Sequence, residues 1–435
     1  MKGYAKFAPL ALVLLFVVAI YSVVNTEMQT VKNYEQALLD ARKYAADGIV
    51  VDAIKSYEAA LAINESLPIR VEAGETLFLI GSRSAATFWA KDLIKRYPLN
   101  PESYEFTLKL YYETKNYAAF FEQLDIMKGR EVNSSIVDDM VESLRYAYFF
   151  DSSYEDVALF SDDICAIKKK EKWGFVAKNG KKLTNSTFLA AGSFVNGLAP
   201  VTNESNDAFF VDAKGDNKSL IARGLGAKQF GMFSADILPV YDGEQWCYYT
   251  SKGELLHGGY QNATAYSSSG VAAVYDGDGW YLVNKDGTAI SSNRYDDIAI
   301  NELGVAFAQD RACAYKDGAV VILDADGNEL FSTYYENAHP FGTDGLAAVS
   351  IGGAWGFINK DGEMVIEAQY LDAHSFHNGF AAVNISGRWG FINIENMLII
   401  EANFTDAKDF SAGGSVFIQD GSMWKLLRFY SQSYA

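Results

Sequence analysis

Hydrophobic and polar positions along the 435 residues change their spacing twice. Phe7 to Val24 is an 18-residue run without a charge, preceded by Lys2 and Lys6 and followed by Asn25, Thr26 and Glu27. That length is near the minimum for a helix crossing a bilayer. Lysines on its N-terminal side predict a cytoplasmic N-terminus and an extracellular bulk. No small-x-small exit follows Ala19-Ile-Tyr-Ser22, so residues 1–26 are expected to be an uncleaved signal anchor, held in the plasma membrane as a single-pass helix by residues 7–24. From 27 to 150 apolar residues recur at spacings of three and four, as in Ala53, Ile54, Tyr57, Ala60 and Leu61, which predicts paired amphipathic helices. Pro98-Leu-Asn-Pro101 ends one helix and opens the next, and Asn133-Ser134-Ser135 opens another with Asp138 and Asp139 in its first turn. From 151 to 435 short β-type runs between glycine turns take over.

Three of the helical segments are related by a period close to 34: Ala53-Tyr57-Ala60, Ala86-Ala90-Leu93 with Pro98 beyond, and Phe120-Leu124-Met127. The spacing resembles tetratricopeptide repeats, in which small and large residues alternate so that helix pairs stack. The Gly and Trp expected in the first helix of each repeat are not found, so the copies read as two or three divergent ones. Such repeats imply a concave surface for peptides or partner proteins. A simple spacer between membrane and outer domain is the alternative reading, because so few repeats make little groove.

The remaining two-thirds of the chain repeats a unit eight times. One element is an aromatic, two residues, a small residue, two residues and usually a second aromatic. It occurs at Tyr154-Val157-Phe160, Phe188-Ala191-Phe194, Tyr260-Ala263-Tyr266, Tyr335-Ala338-Phe341, Tyr370-Ala373-Phe376 and Phe404-Ala407-Phe410, with weaker copies at Gly224-Ala227-Phe230 and Tyr295-Ile298. Successive starts are 34, 36, 36, 35, 40, 35 and 34 residues apart. A Gly-apolar-small-small-Val strand follows, as in Gly345-Leu-Ala-Ala-Val349, and then a strand headed by Trp173, Trp246, Trp280, Trp355, Trp389 or Trp424, with Ala208 and Val320 in the other two copies. Turns such as Asn284-Lys-Asp-Gly287 and Asn359-Lys-Asp-Gly362 place glycine where a hairpin needs positive φ.

Trp-Gly-Phe-Val at 173–176 and Trp-Gly-Phe-Ile at 355–358 and 389–392 make this region resemble the WG-repeat family of bacterial proteins. The resemblance implies a β-rich repeat domain, often secreted or envelope-associated, and it brings no catalytic residues. Trp-Cys at 246, Trp-Tyr at 280 and Trp-Lys at 424 depart from the pattern. Four short strands per unit cannot bury a sheet face alone, so units must stack or close. The domain begins with what reads as the last strand of one unit and ends with the third strand of another, Leu426 to Phe429. A shared unit therefore predicts a closed β-propeller of seven or eight blades, with an open β-solenoid as the alternative.

Composition narrows the function. Apolar residues make up 49% of the chain and aromatics 14%, which is enough to build cores rather than a disordered chain. Residues 151–435 hold 21 basic and 36 acidic side chains, a net of −15, which disfavours nucleic acid and anionic headgroups as partners of this region. Cys165, Cys247 and Cys313 have no paired spacing and read as buried thiols. Of the four histidines, His257, His339, His374 and His377, two occupy the same position in adjacent repeats, His339 and His374. A metal site from two or three of them is one reading. The same position holds Thr264 and Lys408 elsewhere, which favours variable loop positions. Asp276-Gly-Asp278-Gly and Asp324-Ala-Asp326-Gly resemble calcium loops but lack the closing Glu, so hairpin chemistry accounts for them.

The expected protein is multidomain: an anchor over 1–26, tetratricopeptide-like helices over 27–150 and an all-β repeat domain over 151–435. The expected function is a membrane-anchored, extracytoplasmic binding or scaffolding protein with a protein or cell-envelope glycan partner. No catalytic residue, metal site or cofactor is assigned, and the binding residues are left open. An envelope enzyme acting on a cell-wall polymer, or a structural spacer, are the alternatives.

Overall fold

A computed structural model describes residues 8–433, and two compact units divide between Ala147 and Tyr148. The first is helical: α1 (Ala8–Ala46), α2 (Val50–Ile63), α3 (Leu67–Leu79), α4 (Arg83–Arg96), α5 (Pro101–Glu113), α6 (Tyr117–Gly129) and α7 (Ser135–Ser143). Helix α1 makes no break at residue 26. Its 39 residues span about 58 Å at ~1.5 Å per residue. It is the one helix among the described residues long and apolar enough to cross a membrane, and its side chains from Val13 to Val24 are exposed. Lys2, Lys6 and Phe7 lie outside the described residues. Further along, Leu38 and Ala41 of the same helix join a core with Tyr57, Ala60, Leu77, Trp89, Leu93 and Phe106.

Local chemistry sets the helix starts. The Asn100 side chain accepts the Glu102 N–H at 2.9 Å with Pro101 in the first turn, and the Asn116 and Ser134 side chains accept the N–H groups of Ala119 and Val137. The small-large positions read from the sequence, Ala53-Tyr57-Ala60, Ala86-Ala90-Leu93 and Phe120-Leu124-Met127, are all buried. One glycine escaped that reading. Gly74 of α3 lies against the Phe106 ring of α5, where a Cβ would come within 2.7 Å of two ring carbons, so alternate helices approach closely.

Residues 148–433 form a closed β-propeller of eight blades. Six sheets have four strands and two have three. Blade 1 starts at its innermost strand Asp156–Val157, and the others follow in chain order. Blade 8 comprises Asp406–Ala407, Ser415–Asp420, Met423–Phe429 and, from the opposite end of the domain, Tyr148–Tyr154. The first and last strands pair antiparallel, Tyr148 opposite Phe429 and Tyr154 opposite Trp424. That shared blade closes the ring, so the open solenoid does not form. Second strands are buried on both faces because blades pack on either side, which explains runs such as Ala347-Ala-Val349.

The tryptophans mark one repeated contact. Each heads the third strand of a blade and faces the last aromatic of the outermost strand: Trp246 opposite Tyr260, Trp355 opposite Tyr370, Trp389 opposite Phe404 and Trp424 opposite Tyr154. In blades 1 and 4 the same contact survives as isolated bridges, Trp173 to Phe188 and Trp280 to Tyr295. The aromatic-small-aromatic motif thus straddles two blades: its first aromatic ends one, and its small residue opens the next. The glycine after tryptophan has a steric origin. A Cβ at Gly356 would lie 2.5 Å from the Ile366 carbonyl oxygen, and one at Gly390 would lie 2.6 Å from that of Ile400, where the outer strand bulges inward.

The departure at Trp246-Cys247 obeys the same rule from the other side. Gly258 stands opposite Cys247, and a Cβ there would meet its sulfur at 2.3 Å. Register corrects one of the weak copies. Phe230, not Ala227, pairs with Val240 in the position that Ala263 takes opposite Val274, so a large residue fills a small-residue position in blade 3.

Exchanging the glycine across this ladder gives a direct test. Gly258→Ala is expected to cost about 1–3 kcal/mol, and Cys247→Gly is expected to relieve it by at least about 0.5 kcal/mol. Urea unfolding of the full chain in detergent micelles measures both; strict additivity would show that the two positions do not compete for space.

Candidate binding site at the centre of the ring

One position, the residue after each innermost-strand small residue, recurs in every blade. In blades 6, 7 and 8 it is His339, His374 and Lys408, and each packs on the tryptophan of its own blade. Ring centroids lie 4.9 Å apart for His339 with Trp355 and 4.9 Å for His374 with Trp389, and the Lys408 ammonium sits 4.7 Å from the Trp424 ring centre. Planar imidazole and ammonium groups suit an indole face. The position varies from blade to blade, and three of the chain's four histidines, His339, His374 and His377, line one cavity. His257 lies elsewhere, between the Tyr260 and Tyr266 hydroxyls at 2.9 Å each, and burial pulls it below the usual imidazole range.

Asp409 organises the group and was not singled out from the sequence. Its carboxylate takes His374 Nδ1 at 3.0 Å and lies 3.6 Å from His377 Nε2, with its side chain only 16% exposed. Burial opposes its charge, but the His374 hydrogen bond and the neighbouring imidazoles hold it down to about 2. Burial likewise opposes a proton on His374, yet the bond to Asp409 and the charges of Asp409, Asp372 and Glu302 raise it above the usual imidazole range. His339, buried beside His374, is pulled down. The Ser375 hydroxyl accepts the Ala348 N–H at 3.0 Å.

A loop crosses this centre. Ile298 of blade 5 pairs with Ala314, whereas Ala338 pairs with Val349 and Ala373 with Val383, so blade 5 carries the one extended connection between first and second strands. That is the origin of the 40-residue spacing. Asn301 shapes the loop by accepting the N–H groups of Leu303 and Val305, both at 3.0 Å. Met232 of blade 3 donates its N–H to the Leu303 carbonyl at 2.9 Å, and Ala265 of blade 4 to the Gly304 carbonyl at 2.7 Å. Glu302 reaches Lys408 of blade 8 at 2.5 Å. Beside the loop lie a 150 Å³ cavity and a 470 Å³ cavity, which share Leu159, Asn301, Phe341, His377 and Asp409 in their walls.

Among the described residues, no group of three or more His, Cys, Asp and Glu side chains is arranged to hold a metal ion. Asp324 uses its carboxylate on its own turn, accepting the N–H groups of Asp326 and Asn328 at 3.0 and 2.7 Å. Asp276 accepts from Asp278 N–H and pairs with Arg294 at 2.9 Å. Cys165, Cys247 and Cys313 are free and buried, and burial pushes the Cys165 and Cys313 thiols up.

With the ladder geometry in hand, the sequence comparison becomes specific: residues 322–353, 355–389 and 389–424 match a family profile. The matched family is the WG containing repeat. The matched stretches run from the third strand of blade 5 to that of blade 8. No curated protein matches the chain. Among solved structures, BamB from Moraxella catarrhalis is similar at 13% identity and a TM-score of 0.46, over 65% of this chain and 100% of that one. Kluyveromyces lactis Hsv2p is similar at 8% identity and 0.38, over 56% and 93%. Likenesses that distant carry no argument about function.

The His374–Asp409 pair makes a pH prediction. Folding raises His374, so its contribution is whole below about pH 6.5 and is lost as pH rises through the raised value. Asp409 is depressed, so its contribution is present above about 3.8 and is lost as pH falls toward 2. Asp409→Asn is expected to cost about 3 kcal/mol near pH 6 and to flatten the loss above it. Urea unfolding across pH checks this, and an unchanged alkaline slope would refute the coupling.

Proposed function

We propose that this chain is a membrane-anchored scaffold, with its bulk outside the cytoplasm, that binds a protein or glycan of the cell envelope without catalysis. The observation that carries the reading lies on the propeller's rim. Leu256, Leu330 and Val365 occupy the same register position on the outermost strands of blades 3, 5 and 6, one residue before His257, Phe331 and Ile366 in the ladder. Their exposures are 43%, 42% and 46%. Outermost strands usually carry charge to discourage pairing, so apolar side chains repeated there suit a protein partner. A net charge of −15 over 151–435 favours a partner face that is neutral or basic.

The helix pairs fit divergent tetratricopeptide-like repeats, and the close approach at Gly74 supports that assignment. Exposed Leu79 and Phe88 give this unit apolar surface of its own. The anchor reading rests on α1, whose apolar segment continues without a break into the first packed helix.

Cross-linking of the full chain in native membranes, followed by isolation, is the test. Replacing Leu256, Leu330 and Val365 together by Asp is expected to reduce capture of a cross-linked partner at least about tenfold, with an unchanged melting temperature. Full retention of the partner would remove the rim from the proposal. Topology is checked separately with Lys169→Cys, since the native thiols are buried: a membrane-impermeant maleimide is expected to label it in intact cells.

A further inference from the structure

We propose that Lys408 is a binding site for a small carboxylate ligand, and that in this structure Glu302 of the blade 5 loop fills it as a tethered occupant. The inference is independent of the scaffolding reading. Two singular features of the array meet here. Blade 5 has the one extended connection between first and second strands, and Lys408 is the one lysine at a position held in the other blades by Ala158, Gly192, Gly231, Thr264, Ala299, His339 and His374.

Lys408 is suited to hold an anion. Its side chain is 13% exposed, packed over Trp424, and among the described residues its one ion-pair partner is Glu302. A lysine that deep needs a counter-charge whenever Glu302 leaves. Asp409, next along the chain, does not supply one, because His374 and His377 already face it. Glu302, in contrast, is built to leave. Its side chain is 47% exposed, and the loop is pinned by the Leu303 and Gly304 carbonyls and by the Asn301 turn rather than by Glu302. The carboxylate can therefore swing off Lys408 while the loop backbone stays.

The surroundings define the ligand. Glu302 borders the 150 Å³ cavity with His374 and Asn301, and Asn301 also borders the 470 Å³ cavity lined by Phe160, Phe341 and Phe410. Lys408 itself lines neither cavity, and the larger one mixes Phe160, Phe341 and Phe410 with Asp162, Asp163 and Asp409, so a carboxylate that displaces Glu302 has ring faces for a short apolar body only on the side away from those aspartates. A small carboxylate with an apolar body fits better than a bare anion.

The test uses the full chain in detergent micelles and Glu302→Gln, which keeps the loop's size and removes the competing charge. Acetate is expected to raise its melting temperature saturably, at a half-saturation at least about tenfold below wild type. Acetamide is expected to have no effect, and phenylacetate to act at lower concentration than acetate. Lys408→Gln in the same background is expected to abolish the response. If acetate and acetamide act alike on folded Glu302→Gln, or the response survives Lys408→Gln, the proposal is overturned. Should Glu302→Gln not fold, Glu302→Asp, whose shorter carboxylate retreats from Lys408, must show the same gain for acetate; no gain there also overturns it.

Discussion

In six blades a tryptophan faces the terminal aromatic of the neighbouring strand, and the rest of the propeller is organised around this contact. In blades 3, 6 and 7 the outer strand bulges beside the tryptophan, and one glycine leaves room there. Gly356 and Gly390 leave room on the tryptophan strand, whereas blade 3 leaves it on the outer strand at Gly258 and keeps Cys247. The motif is therefore a statement about a gap between two strands. Either strand can satisfy it. Because the aromatic ends one blade and the small residue after it begins the next, the same contact also sets how consecutive blades join, and hence why the ring closes with Tyr154 on Trp424.

That constraint explains which parts of the fold were legible. Tryptophans, turn glycines and buried small residues recur with a nearly fixed period because most blades need them, so eight repeats and a propeller of seven or eight blades closed by a shared strand were legible, with an open solenoid as the alternative that the structure removes. Contacts between partners distant in sequence were not legible. Gly74 matters through Phe106, Gly258 through Cys247, and the true register of blade 3 through the pairing of Phe230 with Val240. In each case the deciding information sits on another strand or helix. Periodicity within one segment does not carry it.

The candidate site shows the same division. His339 and His374 were visible as equivalent positions, but their apparent exchange with Thr264 and Lys408 looked like the drift of a surface loop. Equivalent positions in a ring converge on its axis, so residues about 35 apart in sequence become neighbours and their chemistry is shared. Asp409 could not be found among the domain's 36 acidic residues without that convergence. The extended spacing of 40 residues was visible, and what it builds was not.

The positions that follow the innermost small residues are small in half of the blades: Ala158, Gly192, Gly231 and Ala299. The chain fills the centre unevenly. Blades 6, 7 and 8 send in imidazoles and an ammonium backed by tryptophans, and blade 5 sends a loop across to meet them. Apolar residues would fill the same positions with less desolvation cost. A centre built from paired charges on one side and a single crossing loop on the other keeps two cavities beside the axis, and its ion pairs give way to competing charge where a hydrocarbon plug would not.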